Sequence, residues 1–169
     1  MIVRPATPAD AESIARVHVQ AWDETYHGLV PPEAFDVYTL EKRLTQWRSI
    51  LGNPATTVFV AERDSAVCGF GSGGRARDLP TDGEIYALYV VHAAKRQGVG
   101  GALFVHLRNA LTASEFASLG LWVLSSNLAA RQFYEAMGGR TGGTKIDRRG
   151  ELAFEDIAYL WDSASPRLR

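Results

Sequence analysis

The sequence predicts a mixed α/β fold, one domain with a twisted mixed sheet and helices packed against it. Three observations carry that reading. β-rich runs and helical stretches follow one another in the order β-α-α-β-β-β-α-β-α-β-β. Two segments repeat their apolar residues at helical spacing, one through Ile14, Val17, His18, Ala21 and Trp22, the other through Val99, Ala102, Leu103, His106, Leu107, Ala110 and Leu111. Between them, Glu84 to Val91 reads as a strong apolar strand. The 169 residues suit one core, since single domains usually run ~100–200 residues.

Each element has a local cause. Residues 1–5 make a short strand that Pro5 ends. Thr7 caps the first helix, with Pro8 at its first position and Asp10 three residues after the cap. Gly28 and Pro31-Pro32 break that helix. A second helix puts Leu40, Leu44, Trp47 and Leu51 on one stripe and stops at Gly52-Asn53-Pro54. Thr57 to Glu62 and Ala66 to Ser72 form a hairpin around Asp64-Ser65. Pro80-Thr81-Asp82-Gly83 is a turn, and His92 to Gln97 is a polar connection into the helix that begins near Gly98. Leu119 to Leu124 is a strand. Asn127 then caps a short helix marked by Ala130, Phe133, Tyr134 and Met137, which Gly138-Gly139 ends. Two final strands flank Arg148-Arg149-Gly150, the longer running from Glu151 to Trp161. Ser163 to Arg169 reads as a frayed tail, so the domain is placed at 1–162.

Composition narrows the function classes. Apolar residues make up 46% and charged residues 22%, near the globular averages and unlike a disordered chain. Eighteen Lys and Arg against nineteen Asp and Glu give a net charge of −1, without the basic excess of a nucleic-acid binder. The single cysteine, Cys68, excludes an internal disulfide framework and a multi-cysteine metal site, and reads as a small buried hydrophobe. The four histidines are scattered, so no metal is expected. His18 and His106 sit on apolar helix faces as packed or edge histidines. No run approaches the ~20 apolar residues of a membrane span, and the N-terminus lacks an apolar signal core. A soluble, cytoplasmic chain with neither nucleic acid nor membrane as partner is the expectation.

Chemistry concentrates in three segments. Lys95-Arg96-Gln97-Gly98-Val99-Gly100-Gly101 lies between a strand and a helix. Glycines there let the backbone approach a ligand, and the free N–H groups of the helix N-terminus favour an anion such as a pyrophosphate. The same glycines also suit an ordinary turn. No Lys-Ser or Lys-Thr follows them, which excludes a P-loop. Leu103 falls at the third small position of a dinucleotide fingerprint, which excludes that motif. The second segment is Asn127-Leu-Ala-Ala-Arg-Gln-Phe-Tyr-Glu-Ala-Met-Gly-Gly139, and the third is the strand Glu84-Ile-Tyr-Ala-Leu-Tyr-Val-Val91.

In this order and spacing the three segments resemble the GNAT superfamily of acyl-CoA N-acyltransferases. That family carries Gln/Arg-x-x-Gly-x-Gly/Ala at the pyrophosphate loop and Asn-x-x-Ala-x-x-Phe-Tyr-x-x-x-Gly in the following helix. The likeness is specific from about Glu84 to Gly139, and the element order fits across nearly the whole chain. Trp22-x-x-x-Tyr26-x-Gly28-x-x-Pro31 is similar, more weakly, to a first-helix region of many members. The chain departs from the pattern at Lys95, where Gln or Arg is usual, and at Arg96, where Gly is frequent. Lysine supplies charge without the planar fork of arginine. The resemblance implies a single GNAT-type domain with about six to seven strands and about four helices.

It also implies roles. The backbone of Leu88, Tyr89 and Val90 would bond the pantetheine arm of acetyl-CoA between the Glu84–Val91 and Leu119–Leu124 strands, which splay apart in the family. Lys95, Arg96, Gln97, Gly98, Val99, Gly100 and Gly101 would cradle the pyrophosphate. Asn127 would reach the pantetheine while capping its helix, and Arg131 would approach the CoA phosphates or stay solvated. Tyr134 matches the general acid: free thiols titrate near ~8.5, so a phenol near the sulfur eases its departure. Otherwise it is an amphipathic core tyrosine. Glu84 is the candidate base, directly or through a water, or else an exposed strand-end carboxylate. The strand before Asn127 has no acid to take that role. Trp22, Tyr26 and His27, with Asp23, would border the amine pocket.

The resulting expectation is an N-acetyltransferase that passes the acetyl group of acetyl-CoA, as co-substrate and with no metal, to a primary amine on a small molecule or peptide. The alternative is a catalytically silent acyl-CoA-binding module acting as sensor or scaffold. Homodimers are common in the family and fit this chain, although no segment specifies an interface.

Overall fold

The computed structural model describes residues 1–31, 39–149 and 152–162. Its elements are β1 (Ile2–Pro5), α1 (Ala11–Tyr26), α2 (Leu40–Leu51), β2 (Thr57–Arg63), β3 (Ala66–Arg75), β4 (Gly83–Val90), α3 (Val99–Ala113), β5 (Leu119–Leu124), α4 (Leu128–Ala136), β6 (Arg140–Arg149) and β7 (Leu152–Trp161). The seven strands form one sheet in the order β1-β2-β3-β4-β5-β7-β6. Among the described strand pairs only β4–β5 is parallel. This is the mixed α/β architecture that the sequence predicts. Pro32, Glu151 and the tail 163–169, which enter that reading, lie outside the described residues.

Local chemistry sets the boundaries. Thr7 and Asp10 close a capping box, with the Thr7 N–H and hydroxyl both donating to Asp10 Oδ2 at 2.7 and 2.9 Å. Arg4 pairs with Asp10 at 2.8 Å and also grips Glu62, tying β1 to β2 and to the start of α1. Gly28 at φ +80° ends α1, and Gly138 at φ +80° follows α4. Asp64 and Ser65 both take positive φ in the hairpin turn.

The helices cover both faces. On one, Ile14, Ala15 and Val17 of α1 and Trp47 of α2 pack on Val58, Val60 and Phe70. Of the α2 stripe only Trp47 is buried, while Leu40 is exposed. On the other face α3 lies close to β3. A Cβ on Gly69, Gly71 or Gly73 would fall 3.1, 3.3 or 2.9 Å from a side-chain methyl of Leu103, Leu107 or Leu111. The strand period of two and the helix spacing of four bring each glycine against one leucine, which explains a glycine-rich strand in a core. Cys68 is buried there as expected, with its thiol pushed up by burial. His106 corrects the sequence reading in part: it is exposed and bonds the Ala102 carbonyl within its own helix, although its ring still borders Phe59.

Two irregularities in β4 position the site. Its register with β3 skips Tyr86, with Ser72 opposite Ala87 and Gly73 opposite Ile85, so Tyr86 forms a bulge. Its pairing with β5 stops after two positions, Gly83 with Leu119 and Glu84 with Gly120. From Ile85 onward the two central strands separate. The β4 edge that faces β5 then carries backbone groups with no ladder partner, in a sheet where such groups otherwise pair.

Candidate active site

The strand separation opens a groove of about 580 Å³, walled by Ile85 to Val90 of β4, Leu121 to Val123 of β5, and Asn127, Ala130, Phe133 and Tyr134 from the α4 side. At its far end are Lys95, Arg96, Gly98, Gly100 and Gly101. Gly98 takes φ +81° as the N-cap of α3. The first helical bond there is Ala102 N–H to the Gly98 carbonyl, so the N–H groups of Val99, Gly100 and Gly101 precede any intrahelical partner. A Cβ added at Gly98 or Gly101 would point into open space, with nothing within 4 Å. An anion can therefore approach this backbone closely. Arg96 sits at φ +57°, in the left-handed region, which gives a physical reason for glycine being frequent there.

A second cavity, about 840 Å³, lies on the α1–α2 face and takes in His18, Trp22, Trp47, Arg77, Glu84 and Trp122. Tyr26, Ile85, Tyr86, Ala87, Tyr89 and Trp122 line both cavities. The two spaces thus meet where β4 and β5 part, one long and cation-ended, the other rimmed by aromatic rings and charged pairs.

Tyr134 stands in the groove, buried among Phe104, Phe133 and Trp161. Burial pushes its hydroxyl well above the usual phenol range, and the nearby Tyr26 phenol pushes the same way. It therefore keeps its proton at any working pH. Glu84 is 2% exposed. Arg77 holds it through Nη2 to Oε1 at 2.5 Å, Nε to Oε2 at 3.2 Å and its backbone N–H to Oε2 at 3.0 Å. This replaces the exposed strand-end alternative with a buried, ion-paired carboxylate on the cavity wall. The Arg77 guanidinium also stacks on Tyr86, 4.1 Å from its ring centre, and Glu84 holds it protonated beyond its usual range.

Arg77 gave no sequence signal, being a lone arginine in a loop. The sequence places His18 as a packed or edge histidine. It is buried and lines the second cavity, where Trp47 Nε1–H donates to its Nδ1 at 3.1 Å. Burial first, and Arg43 second, lower its pKa to about 3, so the ring is neutral. Asp78 carries no sequence signal either. It accepts from Trp122 Nε1 at 2.8 Å and from Lys145 Nζ at 2.5 Å, and the lysine lies 4.3 Å from the Trp122 ring centre.

The other expected site residues divide. Trp22 and Tyr26 line the second cavity with ring centres 4.9 Å apart. Asn127 caps α4, its Oδ1 accepting from Ala130 N at 3.2 Å, and still faces the groove. His27 does not join the site: its side chain is 84% exposed and lies beside Asp23. The Gln97 side chain turns back to the Ala93 carbonyl at 2.8 Å, and Val99 is buried, so each offers the groove at most its backbone. Arg131 also departs from expectation. Its Nη1 bonds the Ser125 carbonyl at 3.1 Å, its Nε points to the Tyr159 hydroxyl at 3.4 Å, and it does not line the groove. Among the described residues no group of His, Cys, Asp or Glu could hold a metal ion. No described helix is long and apolar enough to cross a membrane.

Comparison with known proteins agrees with this geometry. The family model described as Acetyltransferase (GNAT) family matches residues 18–139. The uncharacterized N-acetyltransferase YuaI of Bacillus subtilis is 34% identical over 137 residues, spanning 79% of this chain and 77% of that protein. The PaiA N-acetyltransferase of Thermoplasma acidophilum, solved in complex with coenzyme A, superposes with a TM-score of 0.68 at 20% identity, covering 92% of this chain and 96% of its own. A ribosomal-protein-alanine N-acetyltransferase of Brucella melitensis gives 0.74 at 22% identity, covering 96% and 99%. The chain belongs to the GNAT family of acetyltransferases.

Proposed function

We propose that this protein transfers the acetyl group of acetyl-CoA to a primary amine by direct attack within a ternary complex. The observation that carries the reading is the meeting of the two cavities at the parting of β4 and β5, with the protonated Tyr134 in one and the hydrogen-bonded Glu84–Arg77 pair on the wall of the other. The stretch of β4 at Leu88, Tyr89 and Val90, beyond the end of its ladder with β5, offers backbone bonds to the pantetheine amides. Gly98 to Gly101, with Lys95 and Arg96, offer N–H groups and positive charge to the pyrophosphate. The related protein crystallised with coenzyme A supports this donor.

The acceptor amine enters from the α1–α2 side. Alkyl ammonium groups titrate near ~10.4, so a proton must leave before attack. Glu84 takes it through a water, its lone pairs being more numerous than the Arg77 bonds. The amine nitrogen then attacks the acetyl carbon, and the Tyr134 hydroxyl protonates the departing sulfur. The partner is thus an amine on a small molecule or a peptide. The Brucella neighbour's acceptor is not carried over, because pocket loops decide specificity on this fold.

A screen of amines with acetyl-CoA, read by thiol release, tests the proposal. Turnover that falls in Tyr134→Phe and in Glu84→Gln supports it. Full kcat in both variants removes these roles. Coenzyme A binding without turnover of any amine favours the silent module.

A further inference from the structure

The cavity junction contains a hydroxyl that the reaction as described does not use. Tyr26 lies at the end of α1 and lines both cavities. Its ring rests against Trp22 with centres 4.9 Å apart. Its hydroxyl is 3.5 Å from the hydroxyl of Tyr89. Tyr89 is wedged between His18 and Phe70, at centre distances of 5.0 and 5.7 Å. From the opposite side of the sheet, Tyr134 lines the same groove as Tyr26 and Tyr89. Three phenols from three elements therefore line one groove, and two of them, Tyr26 and Tyr89, stand where the two cavities join.

Amine acetylation releases two protons at different moments. The first leaves the ammonium before attack. The second sits on nitrogen after the C–N bond has formed and must be gone when the amide is complete, while the sulfur needs one proton as the C–S bond breaks. Tyr134 has to recover the proton that it gives up, and its burial separates it from bulk water.

We propose that Tyr26 is a catalytic proton shuttle which returns the second amine proton to Tyr134, with Tyr89 as a positioning residue for its hydroxyl. The inference rests on the acetyl-transfer reading given above. The nitrogen lone pair forms the C–N bond, and the C–S bond breaks with its electron pair passing to sulfur. The Tyr134 proton moves to that sulfur. Tyr134 takes the Tyr26 proton, directly or across one water, and Tyr26 takes the proton from nitrogen. One proton has moved from nitrogen to sulfur, and both phenols end neutral. The 3.5 Å Tyr26–Tyr89 separation is longer than the ~2.7–2.8 Å of a good O–H···O bond, which suits a contact that tightens when substrates fill the junction.

A residue that only shaped the amine pocket would act on KM. A shuttle acts on kcat and depends on Tyr134. Wild-type enzyme is first assayed by thiol release with spermidine, tyramine, free amino acids and an alanine-initiated peptide. With any amine turned over, Tyr26→Phe is expected to lower kcat about 100-fold, the lower end of proton-transfer contributions, with acceptor KM within about twofold. Tyr89→Phe is expected to lower kcat less. The double variant Tyr26→Phe/Tyr134→Phe is expected to match Tyr134→Phe alone within about threefold, because the relay ends at Tyr134. Unchanged kcat in Tyr26→Phe, a change confined to KM, or losses that multiply in the double variant overturn the shuttle. If wild type turns over none of the amines, the transfer reading fails separately. The shuttle is then judged with tyrosine-ring carbon labels in the coenzyme A complex. Movement of the Tyr89 and Tyr134 Cζ resonances in Tyr26→Phe supports the hydroxyl network, and no movement at either overturns it.

Discussion

Arg77 grips Glu84 by both carboxylate oxygens, at 2.5 Å to Oε1 and 3.2 Å to Oε2. The two differ sharply in exposure: the glutamate side chain is 3% exposed and the arginine 63%. A guanidinium near solvent thus holds a buried carboxylate in one orientation against the cavity. Because the arginine is solvent-screened, the attraction itself is modest, while a lone buried carboxylate would be costly. Arg77→Met is expected to destabilise the fold by roughly 1–3 kcal/mol, and Glu84→Gln added to it should recover part of that loss. Urea denaturation of the two single variants and the double variant checks the cycle. Additive losses would mean that the pair is not coupled.

His18 makes stability depend on pH. Burial lowers its pKa from 6.5 to about 3. The unfolded chain therefore binds a proton between those values that the folded chain refuses. Stability is complete above about pH 6.5 and is lost as the pH falls toward 3, with a slope of up to about 1.4 kcal/mol per pH unit. The expected outcome is a decline between pH 6.5 and 4.5 that is flatter in His18→Asn, which keeps an acceptor for Trp47 Nε1. Denaturation midpoints at both pH values measure it.

Arg96 and Arg131 are expected to behave in opposite ways. Arg96→Gly relieves a left-handed backbone, which costs on the order of 1 kcal/mol in a non-glycine residue, and removes a charge from the groove. The melting temperature should rise while KM for acetyl-CoA increases. Arg131→Gln removes bonds to Ser125 and Tyr159. It should lower the melting temperature and leave KM for acetyl-CoA within about twofold, since its side chain does not line the groove. A several-fold rise in that KM would return Arg131 to the cofactor site.

Asp78 links the β3–β4 loop to β6 through Lys145 and to β5 through Trp122. The next residue back is Arg77, so this link fixes the segment that orients Glu84. The lysine bond also holds the Asp78 carboxyl below its usual range. Asp78→Asn or Lys145→Met is expected to lower kcat a few-fold with little change in melting temperature, exposed pairs being worth about 0.2–1 kcal/mol. The loss should be the same in Asp78→Asn and in the double variant. Steady-state kinetics on all three checks the coupling.

Much of the fold is legible in the chain. The helical stripe through Ile14, Val17, His18, Ala21 and Trp22 is buried at every position, because a 3.6-residue period allows few alternatives. The hairpin at Asp64-Ser65 and the ends at Gly28 and Gly138 follow from residues that tolerate positive φ. Tyr134 and the glycine loop are legible because their types and spacing are local. Gln97, Arg131 and His27 are a different case. Their side-chain directions depend on carbonyls and neighbours that sequence spacing does not encode.

The chain's own pattern sets which segments become strands and helices, and which loop exposes helix N–H groups to an anion. Those are properties of periods and backbone freedom, written in consecutive residues. Tertiary structure alone decided that β4 leaves β5 after Glu84, that Arg77 reaches back to that carboxylate, that Asp78 meets Lys145 from 67 residues away, and that Tyr26 and Tyr134 approach one gap from opposite faces. Each depends on distances across the sheet, and such distances exist only once burial of the two helical layers has fixed the twist between strands.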